Sequence, residues 1–173
     1  MASMDARFGV RPYTPGDRAA IRETNRQALR MAQPGAFEQL LDTLDDMRAW
    51  VAVGPGAQVV GHIVYTPVLA GAAGGEIAGM GLGELAVLPE FQRQGIGTLL
   101  GRTSLDALRA AHCPFVIVVG HASYYPRFGF RPGAAHGLRC QWARVPAESF
   151  MALVLDAQAM RGVGGVARFQ GVV

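Results

Sequence analysis

The spacing of hydrophobic residues along the chain predicts an alternation of strands and helices. Short apolar runs rich in β-branched residues predict strands at residues 8–12, 50–53, 59–65, 82–88, 115–119, 138–142, 151–156 and 166–169. Apolar residues three and four positions apart predict amphipathic helices at residues 17–34, 37–46 and 95–111. Asp17 is a candidate N-cap of the first helix. Because strands and helices alternate without an internal repeat, we expect an α/β (α+β) fold built on a mixed sheet.

Length and composition restrict the class of protein. With 173 residues, half of them hydrophobic, the chain suits a single domain over residues 1–173 with a substantial core. Its apolar runs are too short to span a bilayer and its N-terminus lacks a signal-peptide pattern, so we expect a cytoplasmic protein without a membrane partner. Cys113 and Cys140 form no metal-spaced pair and the histidines are scattered, so we expect no bound metal.

The basic residues exclude two further classes. All 16 of them are arginine, and the formal net charge is +3. Without lysine, the chain has neither a phosphate-binding P-loop lysine nor a Schiff-base lysine. The arginines are spread along the chain and form no basic block, so we expect no nucleic-acid partner.

The most informative segment is a predicted strand that runs through a tight turn into a helix. The turn reads Gln92-Arg93-Gln94-Gly95-Ile96-Gly97. Its two glycines allow the backbone to approach a ligand closely. The first amides of the following helix have no partner within the helix and lie at the positive end of its dipole. This arrangement predicts a binding site for a diphosphate.

The spacing of the turn residues indicates which diphosphate. A dinucleotide-binding Rossmann turn needs a third glycine where this chain has Leu100, and a P-loop needs lysine. The remaining pattern, Gln-x-x-Gly-x-Gly after a Leu-Ala-Val strand, resembles motif A of the GNAT superfamily of acyl-CoA-dependent N-acyltransferases. A second segment, Tyr125-Pro126-Arg127-Phe128-Gly129-Phe130, is similar to motif B of that family. The wider sequence resembles the YhbS-like bacterial branch.

The resemblance implies a fold, a co-substrate and a reaction. The fold is a mixed, largely antiparallel central sheet splayed at a bulge and flanked by helices, with a cofactor-binding core at about residues 80–131 and C-terminal strands at 137–170. The reaction is transfer of an acetyl group from acetyl-CoA to a primary amine of a small molecule or peptide, by direct attack. The alternative is a non-catalytic acyl-CoA-binding sensor. A homodimer is common in the family.

Carried over position by position, the resemblance also implies roles for individual residues. Tyr125 matches the residue that protonates the leaving thiolate, a role that suits a phenol because its reference pKa is about 10. The implied cofactor-binding residues are Leu85, Ala86, Val87, Gln92, Arg93, Gln94, Gly95, Ile96, Gly97, Thr98, Tyr124, Tyr125 and Phe128.

The general base and the acceptor pocket are less well defined by the sequence. Glu84 lies beside the expected thioester, but strand alternation turns it away from the face that carries Leu85 unless a bulge intervenes. His121, at the end of a later strand, and a water relay are the alternatives. We expect the acceptor pocket near residues 33–46. The acidic side chains there are more typical of a solvated helix face than of an amine site, and they are Glu38, Asp42, Asp45 and Asp46.

Overall fold

The computed structural model describes residues 7–29, 41, 45–72 and 75–171. The chain divides into two compact units. The first comprises Met1–Val64 and Glu84–Leu105, and the second comprises Tyr65–Gly83 and Asp106–Val173. Within the described ranges, no helix is long and apolar enough to cross a membrane. The predicted helix at residues 37–46 lies largely outside the described residues, as does most of the expected acceptor pocket.

The first unit combines strands with helix α1 and most of helix α2. Strand β1 (Gly9–Pro12) pairs antiparallel with β2 (Arg48–Val53), and β3 (Val59–Gly71) follows it in the sheet. The last residues of β4 (Ile77–Val87) lie next to β3, where the Leu88 amide donates to the Val60 carbonyl at 2.9 Å. Helix α1 (Arg18–Ala28) and the start of α2 (Ile96–Ala110) cover this part of the sheet. The core includes Ile21 of α1, Val51 of β2 and Leu100 of α2, all fully buried.

The second unit carries most of the remaining strands. The first part of β4 pairs parallel with β5 (Phe115–Val119), and the last register pair is Leu82 with Val118. Strand β5 pairs antiparallel with β8 (Phe150–Val154), which also pairs with β6 (Arg131–Pro132). Strand β9 (Gly165–Phe169) pairs antiparallel with the end of β3 and parallel with β7 (Leu138–Cys140). The sheet is therefore mixed and largely antiparallel, which confirms the predicted fold class.

Several elements differ in extent from the prediction. Strand β3 continues to Gly71, whereas the apolar pattern predicted its end at residue 65. Helix α1 ends at Ala28, because Leu29 takes an extended backbone conformation, whereas the apolar spacing predicted a helix to residue 34. Strand β4 starts at Ile77 rather than 82. Its early glycines hide the strand pattern, since glycine has low strand propensity. The rings of Phe115 and Phe169 cover Gly79 and Gly81, which supplies the packing that the glycines lack.

Candidate functional site

The predicted phosphate turn contains two residues with left-handed backbone conformation directly before a helix. Arg93 and Gly95 both take left-handed φ angles, at 59° and 83°. Helix α2 starts at Ile96, and its hydrogen-bond ladder opens with the Leu99 amide donating to the Gly95 carbonyl at 2.9 Å. The amides before Leu99 therefore stand at the positive end of the helix dipole. Left-handed residues interspersed in a turn direct successive N–H groups toward one point, which is the geometry that binds anions.

Two glutamine side chains brace this turn. The Gln92 side-chain amide donates to the Val87 carbonyl at 2.9 Å, which ties the turn to the end of β4. The Gln94 side chain donates to the Glu90 carbonyl at 3.1 Å. The side-chain amides of both glutamines therefore bind the backbone, which leaves the main-chain amides and the Arg93 side chain of the turn to contact a ligand. A preformed turn does not have to be ordered when the ligand binds.

Most of the turn is accessible to solvent. Gln92, Arg93 and Gly95 are exposed, whereas Ile96 is 2% exposed and anchors the helix in the core. Among the described residues, no ion pair engages the Arg93 guanidinium. Arg93 can therefore add a charge-assisted contact to a phosphate.

The last residues of β4 alternate as the sequence predicted. Leu85 and Val87 are half-buried, whereas Glu84, Ala86 and Leu88 are buried. Glu84 therefore lies on the face of β4 opposite to Leu85, as simple alternation requires. Leu85, Ala86 and Val87 end β4, and the short 3-10 helix Pro89–Phe91 separates them from the turn.

On its buried face, Glu84 meets two polar residues from other elements. The Asn25 side-chain amide of α1 donates to Glu84 Oε2 at 3.0 Å. His62 of β3 brings its Nε2 to 3.5 Å from the same oxygen. Asn25 is 1% exposed and His62 is fully buried. Neither Asn25 nor His62 is among the site residues predicted from the sequence. The sequence feature that could have indicated them is that both are polar residues at positions which the helix and strand patterns assign to the core.

In the second unit, Tyr125 begins a short 3-10 helix, Tyr125–Phe128, which follows β5 after a loop at residues 120–124. Its ring lies against the backbone of Gly120, so close that a Cβ at Gly120 would overlap Tyr125 Cε2. Phe130 packs edge-on against the other side, with ring centroids 5.8 Å apart. Burial raises the pKa of Tyr125 to about 12, with a smaller contribution from Tyr124. The phenol therefore keeps its proton throughout the neutral range.

The neighbours of Tyr125 form an aromatic cluster closed by one cation. Tyr124 packs edge-on against Tyr125 at 5.2 Å and against Phe128 at 5.8 Å. The Arg127 guanidinium lies 4.0 Å from the centre of the Tyr124 ring, and its Nε donates to the Tyr124 carbonyl at 2.9 Å. This cation–π contact holds the 3-10 helix in place. His121 is exposed and its carbonyl accepts from the Tyr124 amide at 2.9 Å, so it starts the turn that leads to the cluster.

The cysteines take no part in these arrangements. Burial raises the pKa of both the Cys113 and the Cys140 thiols. The Cys113 thiol donates to the Phe115 carbonyl at 3.2 Å. Both thiols stay protonated near neutrality and are poor nucleophiles. Within the part of the chain that the structure describes, no group of three or more His, Cys, Asp or Glu side chains is arranged to hold a metal ion.

Comparison with known proteins identifies the family of the chain. The profile of the acetyltransferase (GNAT) domain matches residues 45–132. The uncharacterised N-acetyltransferase YjhQ of Escherichia coli is 36% identical over 123 residues, which is 68% of this chain and 66% of YjhQ. The uncharacterised N-acetyltransferase YhbS of the same organism is 31% identical over 119 residues, 69% of this chain and 70% of YhbS.

Solved structures agree in fold. The crystal structure of E. coli YhbS in complex with CoA superposes with a TM-score of 0.83 at 28% identity, covering 95% of this chain and 90% of YhbS. A GNAT family acetyltransferase from Brucella melitensis in complex with acetyl-CoA gives a TM-score of 0.66 at 31% identity, covering 85% of this chain and 87% of that one. The profile match, the sequence identities and these superpositions together establish that the chain belongs to the GNAT family of acyl-CoA-dependent N-acyltransferases, in its YhbS-like branch.

Proposed function

We propose that the chain transfers an acetyl group from acetyl-CoA to a primary amine of a small molecule or peptide. The observation that carries this proposal is the turn before α2, where left-handed residues at 93 and 95 lead into a helix N-terminus. Such a turn fits a diphosphate, and coenzyme A contains one. The relatives YhbS and the Brucella protein, which were crystallised with CoA and acetyl-CoA, support the same co-substrate.

The chain's own residues supply binding and orientation in this proposal. Main-chain amides of residues 92–98 bind the diphosphate, and the Arg93 side chain adds positive charge. The backbone of Leu85, Ala86 and Val87 pairs with the extended pantetheine arm, as one more strand would pair with a sheet edge. Acetyl-CoA supplies the activated acyl group. No covalent enzyme intermediate is required, which agrees with the protonated state of the two thiols.

Tyr125 acts as the general acid in the proposed reaction. When the amine displaces the thioester sulfur, the departing thiolate needs a proton. A phenol whose pKa is held near 12 is fully protonated at neutral pH, so it is available as a donor in each turnover. Tyr124 and Phe130 hold this ring in position through their edge-on contacts. Glu84, His121 and a relayed water are the candidates for the general base, and Glu84 would have to act from the face of β4 opposite to Leu85.

Two measurements on the intact protein test this function. Isothermal titration calorimetry with CoA and acetyl-CoA measures binding, and release of free CoA thiol over a panel of primary amines measures turnover. We expect binding together with thiol release for at least one amine. Binding without thiol release across the panel supports the sensor alternative. Absence of binding to either thioester or free CoA contradicts both functions.

The role of Tyr125 has a separate test. Tyr125→Phe removes the proton donor and keeps the ring, so kcat should fall by about 10²–10⁴-fold while the Kd for CoA changes little. Tyr65→Phe is the matched control, because Tyr65 is a fully buried tyrosine to which we assign no role in the reaction. Turnover by Tyr125→Phe at the rate of the Tyr65→Phe variant would remove Tyr125 as the acid.

A further inference from the structure

The phosphate turn, residues 92–97, holds one residue in a backbone conformation that is unfavourable for a side chain. Arg93 has a left-handed φ angle of 59°, and Gly95 follows at 83°. Residues other than glycine keep such a conformation only where the surrounding structure fixes them. The turn must therefore be anchored on both sides of Arg93 if its amides are to stand ready before a ligand arrives.

The two anchors of the turn differ in depth. On the C-terminal side, Ile96 is 2% exposed and lies in the core at the start of α2. On the N-terminal side, the anchor is Phe91, which ends the short 3-10 helix before the turn and is only half-buried. The Gln92 and Gln94 side chains bind carbonyls of this same segment, so they tie the turn to its own neighbours in the chain. A contact to Phe91 from elsewhere in the sequence therefore bears directly on the geometry of the turn.

That contact comes from Phe8, the residue before β1. The Phe8 and Phe91 rings pack edge-on, with their centroids 6.1 Å apart. This separation falls within the range of about 4.5–7 Å in which edge-on rings attract each other. Both residues belong to the first unit, so the contact links two parts of the unit that are far apart in the sequence.

Phe8 is itself held in place by the first two strands. The next residue, Gly9, pairs with Val53 of β2, and Gly54 follows Val53 directly. The Phe8 ring lies against Gly54, where a Cβ would be 3.3 Å from Phe8 Cε1 and 3.4 Å from Cδ1. Gly54 has an ordinary extended backbone, with φ of −102°, so what glycine supplies at this position is room for the ring. The Phe8 ring therefore connects the β1–β2 pair to Phe91.

We propose that Phe8 is a positioning residue for the phosphate turn, and that it acts through Phe91 to hold residues 92–95 in the conformation that binds the diphosphate of acetyl-CoA. This inference rests on the proposed binding of the co-substrate at this turn. Phe8 itself touches no ligand. It raises the fraction of the protein in which the turn is already ordered, and the apparent Kd for CoA is the intrinsic Kd divided by that fraction. Loss of the contact therefore weakens binding and leaves the chemical step unchanged.

The decisive comparison is calorimetry with CoA on Phe8→Ala, Phe91→Ala and the double variant. We expect Phe8→Ala to raise the Kd for CoA by about 3- to 10-fold, which corresponds to the loss of one aromatic pair. The double variant should bind CoA no more weakly than Phe91→Ala, since Phe8 acts only through Phe91. In thiol-release assays, the KM for acetyl-CoA should rise with the Kd. The value of kcat at saturating acetyl-CoA should stay within about twofold of wild type, because the bound co-substrate orders the turn.

Val51→Ala is the matched structural control. Val51 is fully buried on β2 in the same unit, and its truncation leaves a cavity in the core. This variant should lose at least as much stability as Phe8→Ala and bind CoA with the wild-type Kd. A Phe8→Ala protein that binds CoA as tightly as Val51→Ala overturns the inference, as does a double variant whose two losses multiply. Wild-type protein that binds no CoA overturns the proposed co-substrate as well, whereas equal binding by all variants overturns this inference alone.

A measurement on the wild-type protein covers the case in which Phe8→Ala does not fold. Coupling between two sites is reciprocal, so CoA at the turn should in return stabilise the Phe8 contact. Strand β1 lies at the edge of the sheet, where amides exchange through local opening. We expect CoA to slow hydrogen exchange at the amides of residues 8–11 more than at residues 13–18, beyond the other end of β1. Equal protection of the two segments overturns the inference.

Discussion

Replacing Gly120 by alanine places a methyl group where the ring of Tyr125 now lies. The φ angle of Gly120 is outside the left-handed range, so alanine is compatible with the backbone there. The conflict comes from the contact alone. The new Cβ would overlap Tyr125 Cε2 and come within 3.2 Å of Cδ2 and 3.3 Å of Cζ, closer than ordinary van der Waals contact at 3.4 Å and beyond.

The ring must therefore move away by on the order of 1 Å. Overpacking of this kind costs about 1–3 kcal/mol of stability. A displacement of about 1 Å at a catalytic group costs about 10²-fold in rate, equivalent to about 2.7 kcal/mol in the activation barrier. We expect Gly120→Ala to fold, to bind CoA with nearly unchanged Kd, and to lose about 10²-fold in kcat.

Thiol release and calorimetry measure the two quantities separately. Gly75→Ala is the control in the same unit, because a Cβ at Gly75 would meet only the Ala72 carbonyl, at 3.9 Å. The double variant Gly120→Ala, Tyr125→Phe should be no slower than Tyr125→Phe, because both changes act on one hydroxyl. Unchanged turnover in Gly120→Ala, or multiplied losses in the double variant, would refute the reasoning.

Three further predictions follow from local geometry. The Arg11 guanidinium donates to both carboxylate oxygens of Asp17 at 2.7 Å and holds the pKa of Asp17 at about 2. The ionised Asp17 therefore contributes its full stabilisation above the pKa of the unfolded state, near 4. This stabilisation is lost as the pH falls toward 2. Asp17→Asn should lower the free energy of unfolding in urea by about 1–2 kcal/mol at pH 7 and by almost nothing at pH 2, and an equal loss at both would contradict this cause. In absorbance at 295 nm, ionisation of Tyr125 should appear as a late step near pH 12 that is missing from Tyr125→Phe. The phenol of the unfolded chain ionises at a lower pH than that of the folded protein. The contribution of Tyr125 to stability is therefore lost as the pH rises from 10 to 12. Gly95→Val should weaken CoA binding at least about tenfold, because Gly95 has a φ angle of 83° that valine rarely adopts. Gly56→Val is the control: Gly56 has a φ angle of 68° and open space around it, so this variant should lose stability but bind CoA normally. Equal CoA binding by the two variants would show that the turn is not the site.

Several elements follow from the sequence because their causes are local. The phosphate turn is one of them, since its glycines, its helix start and its bracing glutamines lie within a few residues of each other. Strand β5 was predicted with its observed bounds because a run of β-branched residues between a helix end and a glycine has few alternatives. The expectation that Glu84 lies on the face opposite to Leu85 was also confirmed, since it depends only on strand alternation.

Other features depend on residues that are distant in the sequence. The full length of β4 was missed because its glycines become strand residues only when the rings of Phe115 and Phe169 cover them. The roles we propose for the general acid and base, and for the acceptor class, stay predictions until they are tested.

The amino-acid sequence by itself determined the family, the order of elements and the turn that we propose binds the diphosphate, because these are set by short-range periodicity and backbone chemistry. Only the tertiary structure decided that Asn25, 59 residues away in sequence, bonds to Glu84, and that His62 lies beside the same oxygen. It likewise decided that Gly120 makes room for the Tyr125 ring. Such contacts arise when the packed core fixes side chains from separate elements against each other, and no local pattern in the sequence records which of them will meet.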